Sequence, residues 1–370
     1  MIYLDHAATG GHKPASVQNA VHAALKACAN PGRSGHRLSI ALSERVLACR
    51  NLLSDLFEGY GYERVVFTKN CTEALNIALF GVLEKGDHVI TTCLEHNSVL
   101  RPLEKLKRDG TIEYSVAPLD NGKLSPETVA SLVRPETRVC CVTTASNVTG
   151  ETPNLFAIRK LLPERVLLFA DGAQGAGHIP LKMKSTGIDA LAVAGHKGLY
   201  AIQGAGALLF SERINPAPIL CGGTGSESGN LGMPDFYPDA LESGTLSYPA
   251  IASFYEGALI VKANRERFAR HLVGLTGALY TALGALKSYR AYFTPNPCGI
   301  ASFSRDGISS EELAETLSER FDIAVRGGLH CAPLIHQALG TYPSGLVRAS
   351  FSPFQSMREV NALVGALKRI

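Results

Sequence analysis

The chain has 370 residues, of which 46% are hydrophobic and 19% are charged, and its net charge is +3. This composition is typical of a folded globular protein and excludes extensive disorder. The small net charge and dispersed basic residues do not favour nucleic acid or an anionic membrane as a partner. Neither a signal peptide nor a run of the roughly 18 apolar residues needed to span a membrane is found. We therefore expect a soluble, cytoplasmic protein.

Short apolar segments alternate with helix-like segments between residues 64 and 211. Strands are predicted at 64–70, 88–96, 112–119, 138–147, 166–173, 189–196 and 206–211, and helices at 71–86 and 98–110. This alternation predicts a mostly parallel sheet between two layers of helices. The runs VCCV and VLLFA are typical of strands that are buried on both faces.

The pattern changes after about residue 250. A long helix is predicted at 251–286, and a helix at 309–321, capped by Ser309 or Ser310, lies between strands at 298–304 and 346–352. We therefore expect a large domain at 15–250 and a smaller α+β domain formed by residues 1–14 and 251–370.

Nine cysteines are spread over the chain, and none belongs to a CxxC pair. They stand at positions 28, 49, 71, 93, 140, 141, 221, 298 and 331. An odd number without paired spacing predicts free thiols rather than a disulfide framework or a structural metal site.

Polar side chains follow four of the predicted strands. They are His96, Asn147, Asp171 and the pair His196–Lys197. Ligands of parallel sheets collect at the carboxyl ends of the strands. Each residue alone is better explained by local hydrogen bonds in a loop, but together they favour a binding site.

Two of these residues suggest the kind of chemistry. A carboxylate at Asp171, after an apolar strand, needs a cationic partner such as a protonated ring nitrogen. Lys197, among glycines, has the setting of an amine nucleophile with a lowered pKa. A pyridoxal phosphate (PLP) enzyme requires an acidic residue that pairs with the pyridinium nitrogen and a lysine that forms a Schiff base with the cofactor. The segment TKNCTEALN (68–76) predicts a phosphate site at a helix N-terminus, with an ordinary N-cap at Thr72 as the alternative.

Cys331 lies in the segment RGGLHCAP (326–333). Arg326 and His330 are neighbours of the kind that favour a thiolate, whereas the alternative is a buried, inert thiol. In an extended segment adjacent side chains point to opposite faces, so His330 need not contact Cys331. We expect the two glycines to make this segment mobile.

Eight motifs, in order from residue 3 to about residue 352, resemble those of one family. They are YLDHAATG, FTKNCTEALN, LEHNS, SNVTGE, FADGAQGAGHIP, AGHKGLYAIQGAG, ESGTLSYP and RGGLHCAP. The set resembles the class V aminotransferase family, most closely its SufS-like cysteine desulfurases, a branch that includes selenocysteine lyases. The resemblance implies PLP-dependent fold type I, with a mostly parallel seven-stranded sheet.

The resemblance also implies roles around the cofactor. Lys197 would hold PLP as a Schiff base, and Asp171 would pair with the ring nitrogen. His96 would stack on the ring, and Gln174 would bind its phenolic oxygen.

The same resemblance implies a phosphate site and a homodimer. Cys71, Thr72 and His196 would hold the phosphate. Thr245 would reach the phosphate of the neighbouring subunit, so that two chains share their active sites. One departure from the family is Ala194, where a serine or threonine is common.

The implied reaction converts L-cysteine to L-alanine and leaves the sulfur on Cys331. Arg348 would bind the substrate carboxylate with help from Asn147, and Lys197, Cys331 and His96 would be the catalytic residues. The sulfur would pass to an acceptor protein, as in iron–sulfur cluster assembly, tRNA modification or a selenium pathway. A selenocysteine lyase, another class V aminotransferase or β-lyase, and a non-catalytic sulfur carrier are the alternatives.

Overall fold

The computed structural model describes residues 1–27 and 29–370, so the predicted free thiol of Cys28 lies outside the described residues. The helices are α1 (Ala15–Leu25), α2 (Arg37–Leu56), α3 (Cys71–Val82), α4 (Asn97–Arg108), α5 (Pro126–Ala130), α6 (Leu155–Leu161), α7 (Met183–Thr186), α8 (Tyr248–Gly284), α9 (Ser310–Phe321), α10 (Pro333–Ala338) and α11 (Met357–Leu367). The strands are β1 (Ile2–Tyr3), β2 (Val65–Thr68), β3 (Asp87–Thr92), β4 (Ile112–Ala117), β5 (Thr137–Thr143), β6 (Leu167–Asp171), β7 (Ala190–Ala194), β8 (Gly206–Phe210), β9 (Tyr289–Ala291), β10 (Ile300–Arg305), β11 (Ile323–Ala324) and β12 (Val347–Ser350).

The largest sheet has seven strands in the order β2-β8-β7-β6-β5-β3-β4. The neighbours from β7 to β4 pair in parallel, whereas β8 runs antiparallel to both β2 and β7. After β3 the chain moves outward to β4 and then returns to the other side of β3 with β5. This reversal opens a crevice at the carboxyl ends of β3 and β5, where ligands of such sheets bind. The prediction of a mostly parallel α/β sheet is confirmed.

Both faces of this sheet are buried. Adjacent residues of β5, Cys140 and Cys141, are fully buried and belong to different hydrophobic clusters. One cluster lies under helices α2, α6 and α8, and the other lies under α3 and α4. This double burial explains why the strand sequences are continuous apolar runs instead of alternating ones.

Two small sheets complete the fold. Strands β12, β10 and β9 form an antiparallel sheet, and β1 pairs in parallel with β11. The end of α8, α9 and α11 pack with these strands around a third hydrophobic cluster. The N-terminal segment is therefore joined to the C-terminal third of the chain.

The predicted strands and helices are present, with ends shifted by a few residues. The cap of α9 is Ser309, whose side chain accepts from the backbone N–H of Glu312. The long helix begins at Tyr248, so it crosses the predicted domain boundary at residue 250, and the division into domains stays a prediction. In the described residues no helix is long and apolar enough to cross a membrane. The eight described cysteines are free, as predicted.

Candidate active site

The polar residues predicted as a site follow neighbouring strands of the large sheet. Asp171 is the last residue of β6, and His96, Asn147 and Lys197 follow β3, β5 and β7 by a few residues. These four strands are consecutive in the sheet order and parallel. The fold therefore brings the four side chains to the same edge of the sheet.

Asp171 is a buried carboxylate, with only 2% of its surface exposed. Its Oδ1 accepts from the backbone N–H of Ala173 at 2.8 Å and from the thiol of Cys71 at 3.4 Å. None of the ion pairs in the described residues includes Asp171. Since a buried carboxylate without a cation is costly, this group suits the protonated nitrogen of a pyridine ring.

Cys71 lies at the first position of α3, but its side chain is directed at Asp171. Its thiol is buried, and burial raises its pKa, with the Asp171 carboxylate adding to the effect. The helix is capped by Asn70, whose side chain accepts from the N–H of Glu73, so the alternative of an N-cap at Thr72 is wrong. In a phosphate site at this helix, Cys71 would contribute its backbone N–H instead of its thiol.

Lys197 lies in a charged environment at the end of β7. Burial lowers the pKa of its amine, and the cations Arg348 and Arg326 act in the same direction, whereas Asp171 opposes them. Its backbone is held closely, because a Cβ added at Gly10 would lie 3.1 Å from the carbonyl oxygen of Lys197. An amine that is neutral more readily than an ordinary lysine suits attack on an aldehyde.

A chain of side chains joins helices α3 and α4. The hydroxyl of Thr72 lies 2.8 Å from that of Ser98, which lies 2.9 Å from Nδ1 of His96. His96 caps α4 by accepting from the backbone N–H of Ser98 at 3.1 Å. Burial lowers its pKa to about 4, and Lys197 adds to the effect. His96 is therefore a neutral ring that is fixed in place, which suits stacking on a cofactor.

The two other predicted cofactor residues contact the N-terminal segment. Nδ1 of His196 lies 3.1 Å from the hydroxyl of Thr9, and burial lowers the pKa of His196 to about 4. The side-chain amide of Gln174 donates to the carbonyl of Ala7 at 2.9 Å. Residues 7–9 thus lie against the site.

Arg348 and Asn147 come together as predicted for a substrate site. Arg348 lies on β12 with 1% of its surface exposed, and its Nη1 donates to the carbonyl oxygen of Asn147 at 3.1 Å. In the described residues, Nε of Arg348 and Oδ1 of Asn147 are buried without a partner. One is a donor and the other an acceptor, so the pair suits a ligand that carries both kinds of group, such as an amino acid.

The segment around Cys331 is not extended. Both His330 and Cys331 have left-handed backbone angles, with φ of +52° and +57°, so the expectation of an extended segment is wrong. The side chain of His330 is buried and its Nε2 donates to the carbonyl of Leu346 at 3.0 Å, whereas Cys331 is exposed. His330 therefore turns away from the thiol, and burial keeps it neutral by lowering its pKa to about 2.

The backbone of this segment is fixed at both residues. The carbonyl oxygen of Cys331 accepts from the backbone N–H of Asn97 at 2.7 Å, and that of His330 accepts from Nδ2 of Asn147 at 2.8 Å. The thiol itself lies 3.8 Å from the guanidinium of Arg326, which donates to it. An exposed thiol beside a cation is thus held next to the residues that surround Arg348 and His96.

Thr245 is not among the residues that come together. It lies in an exposed segment, where its hydroxyl accepts from the side chain of Asn30 at 3.4 Å. Its predicted role in a neighbouring subunit stays a prediction.

Two contacts of the site were not predicted. Asp5 accepts from Arg348, and Ser98 links His96 to Thr72. Asp5 lies just after β1, as Asp171 lies at the end of β6, so its position near a strand end was the available signal. His6, for which no role was predicted, is half-buried and lines a cavity with Lys197 and Gln174.

The residues present fit PLP. A buried carboxylate forms no ion pair within the described residues, and an amine of lowered pKa lies near it. A capped helix N-terminus and a neutral histidine flank the same crevice. Asp171 would hold the ring nitrogen of PLP and Lys197 its aldehyde carbon. The N-terminus of α3 would hold the phosphate, and His96 would cover a face of the ring.

Comparisons with known proteins agree with this geometry. The Aminotransferase class-V family model matches residues 2–363. A probable cysteine desulfurase of Methanothermobacter thermautotrophicus is 30% identical over 384 residues, covering 100% of this chain and 94% of that protein. The cysteine desulfurase IscS of Shewanella woodyi is 31% identical over 341 residues, covering 89% of this chain and 80% of that protein.

Solved structures are similar over the whole chain. The apo structure of a cysteine desulfurase from Thermococcus onnurineus NA1 has a TM-score of 0.91 at 28% identity, covering 100% of this chain and 94% of that one. The cysteine desulfurase CsdA from Escherichia coli has a TM-score of 0.88 at 25% identity, covering 99% and 94%. The chain therefore belongs to the class V aminotransferase family of PLP-dependent enzymes.

Proposed function

We propose that this protein is a PLP-dependent cysteine desulfurase, which converts L-cysteine to L-alanine and carries the released sulfur as a persulfide on Cys331. The observation that supports it most strongly is the position of Cys331. The thiol is exposed, lies 3.8 Å from Arg326, and belongs to a segment fixed to Asn147 and to the first residue of α4. The printed names of the relatives support the same activity.

The chain's own residues supply the steps around the cofactor. When bound, PLP stabilises negative charge at the α-carbon of the substrate. Arg348 binds the substrate carboxylate, a planar match for its guanidinium. Lys197 would carry the α-proton, since its lowered pKa makes the neutral, proton-accepting amine available at a lower pH than in an ordinary lysine.

Cys331 performs the sulfur transfer. Its thiolate forms a bond with the substrate sulfur while the carbon–sulfur bond breaks, and the electron pair of that bond stays with the carbon skeleton. Protonation of that carbon gives L-alanine, and the sulfur remains as a Cys331 persulfide. Because Cys331 is exposed, an acceptor protein can collect the sulfur there. The contacts of Cys331 favour this activity over an aminotransferase, which needs no nucleophilic thiol.

The experiment uses the PLP-loaded protein and L-cysteine. We expect equal amounts of alanine and transferable sulfur, and mass spectrometry should find one added sulfur atom on the peptide that contains Cys331. Cys331→Ala should lower desulfuration by about a hundredfold or more, as for other nucleophile deletions, while the visible absorbance of the bound cofactor remains. Cys221→Ala, at the other exposed cysteine described, is the matched control and should turn over normally. Normal turnover by Cys331→Ala would contradict the proposal.

The protein is proposed to act as a homodimer with shared active sites. Exposed apolar side chains on α2 and in the segment before α8 support an interface; they are Leu38, Ile40, Leu47, Ile219, Leu220, Leu231 and Phe236. Thr245 follows that segment and would enter the partner's phosphate site. The cytoplasmic location stays a prediction.

A further inference from the structure

The guanidinium of Arg348 is held by a carboxylate from the opposite end of the chain. Its Nη2 donates to Oδ1 of Asp5 at 2.8 Å, and its Nη1 donates to the carbonyl of Asn147 at 3.1 Å. The side chain of Arg348 is 1% exposed and that of Asp5 is 21% exposed. The ion pair is therefore buried on the arginine side and reachable on the carboxylate side.

Asp5 has a fixed backbone. Leu4, the residue before it, donates to the carbonyl of Ala324 at 2.8 Å and accepts from the N–H of Ser350 at 2.6 Å. The hydroxyl of Tyr3 donates to the carbonyl of Asp5 at 3.0 Å. The carboxylate thus reaches Arg348 from a segment that is anchored on both β11 and β12.

The charges around Arg348 require this carboxylate. Arg326 and Arg348 are paired through their backbones, with N–H to carbonyl distances of 3.2 and 2.8 Å, so two cations share the region. Burial and Arg326 both disfavour the charge of Arg348 and lower its pKa, whereas Asp5 opposes them. Without Asp5, the buried cation would have only the neutral carbonyl of Asn147 as a hydrogen-bond partner for its side chain among the described residues.

The contact with Asp5 leaves donors of Arg348 available. A guanidinium carries five N–H groups, and Nε is buried without a partner in the described residues. Because Nη2 donates to only one oxygen of Asp5, the Nε edge can still donate two parallel hydrogen bonds to a carboxylate. Asp5 therefore holds the guanidinium without occupying its remaining donors.

We propose that Asp5 is a positioning residue for the substrate carboxylate: it holds Arg348 with its Nε edge directed to the α-carboxylate of an amino acid. The inference rests on the role that the proposed function gives to Arg348. The ligand class of this site is an α-amino acid with a free carboxylate. The binding affinity of an amine without a carboxylate should not depend on Asp5.

The test measures ligand binding instead of turnover. PLP-loaded protein is titrated with L-alanine and with ethylamine, which is the same amine without the carboxylate, and the absorbance of the bound cofactor reports both. Asp5→Asn should weaken L-alanine binding about tenfold, the loss of about one charged hydrogen bond, and should leave ethylamine binding within about twofold. Asp322→Asn is the matched control, since Asp322 forms an exposed ion pair with the amino group of Met1 and no ion pair with Arg348; both ligands should then bind as they do to the natural protein.

Equal weakening of both ligands, or of neither, would overturn the inference. If Asp5→Asn fails to fold, Asp5→Glu keeps the charge and changes its reach, and it should weaken L-alanine selectively by a smaller factor. A selective loss of L-alanine binding in a protein that makes no alanine from L-cysteine would remove the proposed function and leave this inference intact.

Discussion

Lys197 illustrates how the fold sets the chemistry of one residue. Its amine is buried near two guanidinium groups, and these effects outweigh the carboxylate of Asp171, so its pKa lies below the 10.5 of an ordinary lysine. A lower pKa means that the neutral amine exists at a lower pH. This is the form in which Lys197 would attack the aldehyde of PLP under the proposed function.

The rate of cofactor uptake by the apo protein should therefore rise with pH and reach half its maximum below pH 10.5. Arg326→Gln removes a positive charge that disfavours the ammonium form, so the pKa of Lys197 and the uptake midpoint should rise. The uptake rate is measured as the growth of visible absorbance after mixing with PLP, and its dependence on pH gives the midpoint. Arg320→Gln, a change to an exposed arginine of α9, is the control. A midpoint that Arg326→Gln leaves unchanged or lowers would contradict this account.

The sequence identifies some of these residues and misses others for a physical reason. Lys197 and Asp171 are visible because each follows an apolar strand and has a side chain that is costly to leave without a partner. The contact between Asp5 and Arg348 joins residues 343 positions apart, and no local pattern encodes it. Cys71 is predicted as a phosphate residue, but the direction of its thiol toward Asp171 depends on how α3 packs on β6.

At the scale of elements, the glycines before Cys331 serve close packing. A Cβ at Gly327 would lie 2.6 Å from the carbonyl oxygen of Ser310, at the start of α9. Gly328 has φ of +102°. A Cβ added at Gly345 would lie 2.4 Å from the carbonyl carbon of Gly328. Close packing is thus a second reason for glycine here, since α9 and the segment before β12 lie against this backbone, while the mobility of the segment stays a prediction.

Gly327→Ala should destabilise the protein by about 1–3 kcal/mol, the usual cost of overpacking, because the atom it would meet belongs to the backbone. It should also slow persulfide formation on Cys331 while cofactor binding remains. Urea unfolding and single-turnover sulfur transfer measure the two effects. Gly274→Ala is the control: Gly274 is exposed within α8 with no atom near its Cβ position, so alanine should stabilise the helix by about 1 kcal/mol. Unchanged stability and transfer in Gly327→Ala would show that this segment moves freely.

At the scale of the whole molecule, the chain order of strands and helices was predictable and their long-range pairing was not. Alternating strands and helices predict a parallel sheet, because each helix returns the chain to the end of the sheet at which the previous strand began, so that the next strand runs in the same direction. The antiparallel β8 and the pairing of β1 with β11 depend on contacts between distant segments. The latter pairing places Asp5 beside β12, so a feature invisible in the local sequence contributes a residue to the proposed substrate site.

The exposed apolar surface of α2 is the basis for the proposed interface with a second copy of the chain. Ile40 and Leu47 are exposed and seven residues apart, which places them on one face of the helix. Leu47 lines a cavity together with Arg33 and Gly244, and Arg33 donates to the carbonyl of Gly244 at 2.7 Å. The apolar face of α2 is thus continuous with the segment that carries Thr245.

Ile40→Glu should therefore separate the dimer and weaken PLP binding together, because it places a charge in the apolar interface and removes the partner's Thr245 from the phosphate site. Light scattering should give half the mass of the natural protein, and cofactor titration should give an affinity about tenfold lower or more, the loss of about one hydrogen bond to a charged phosphate. Phe156→Glu is the matched control, since Phe156 on α6 is 49% exposed and Ile40 is 48% exposed, and it should leave both values unchanged. A variant at Ile40 that stays dimeric would exclude this face from the interface. A monomer that binds PLP normally would exclude Thr245 from the partner's phosphate site, because mass and affinity change together only if the two chains share it.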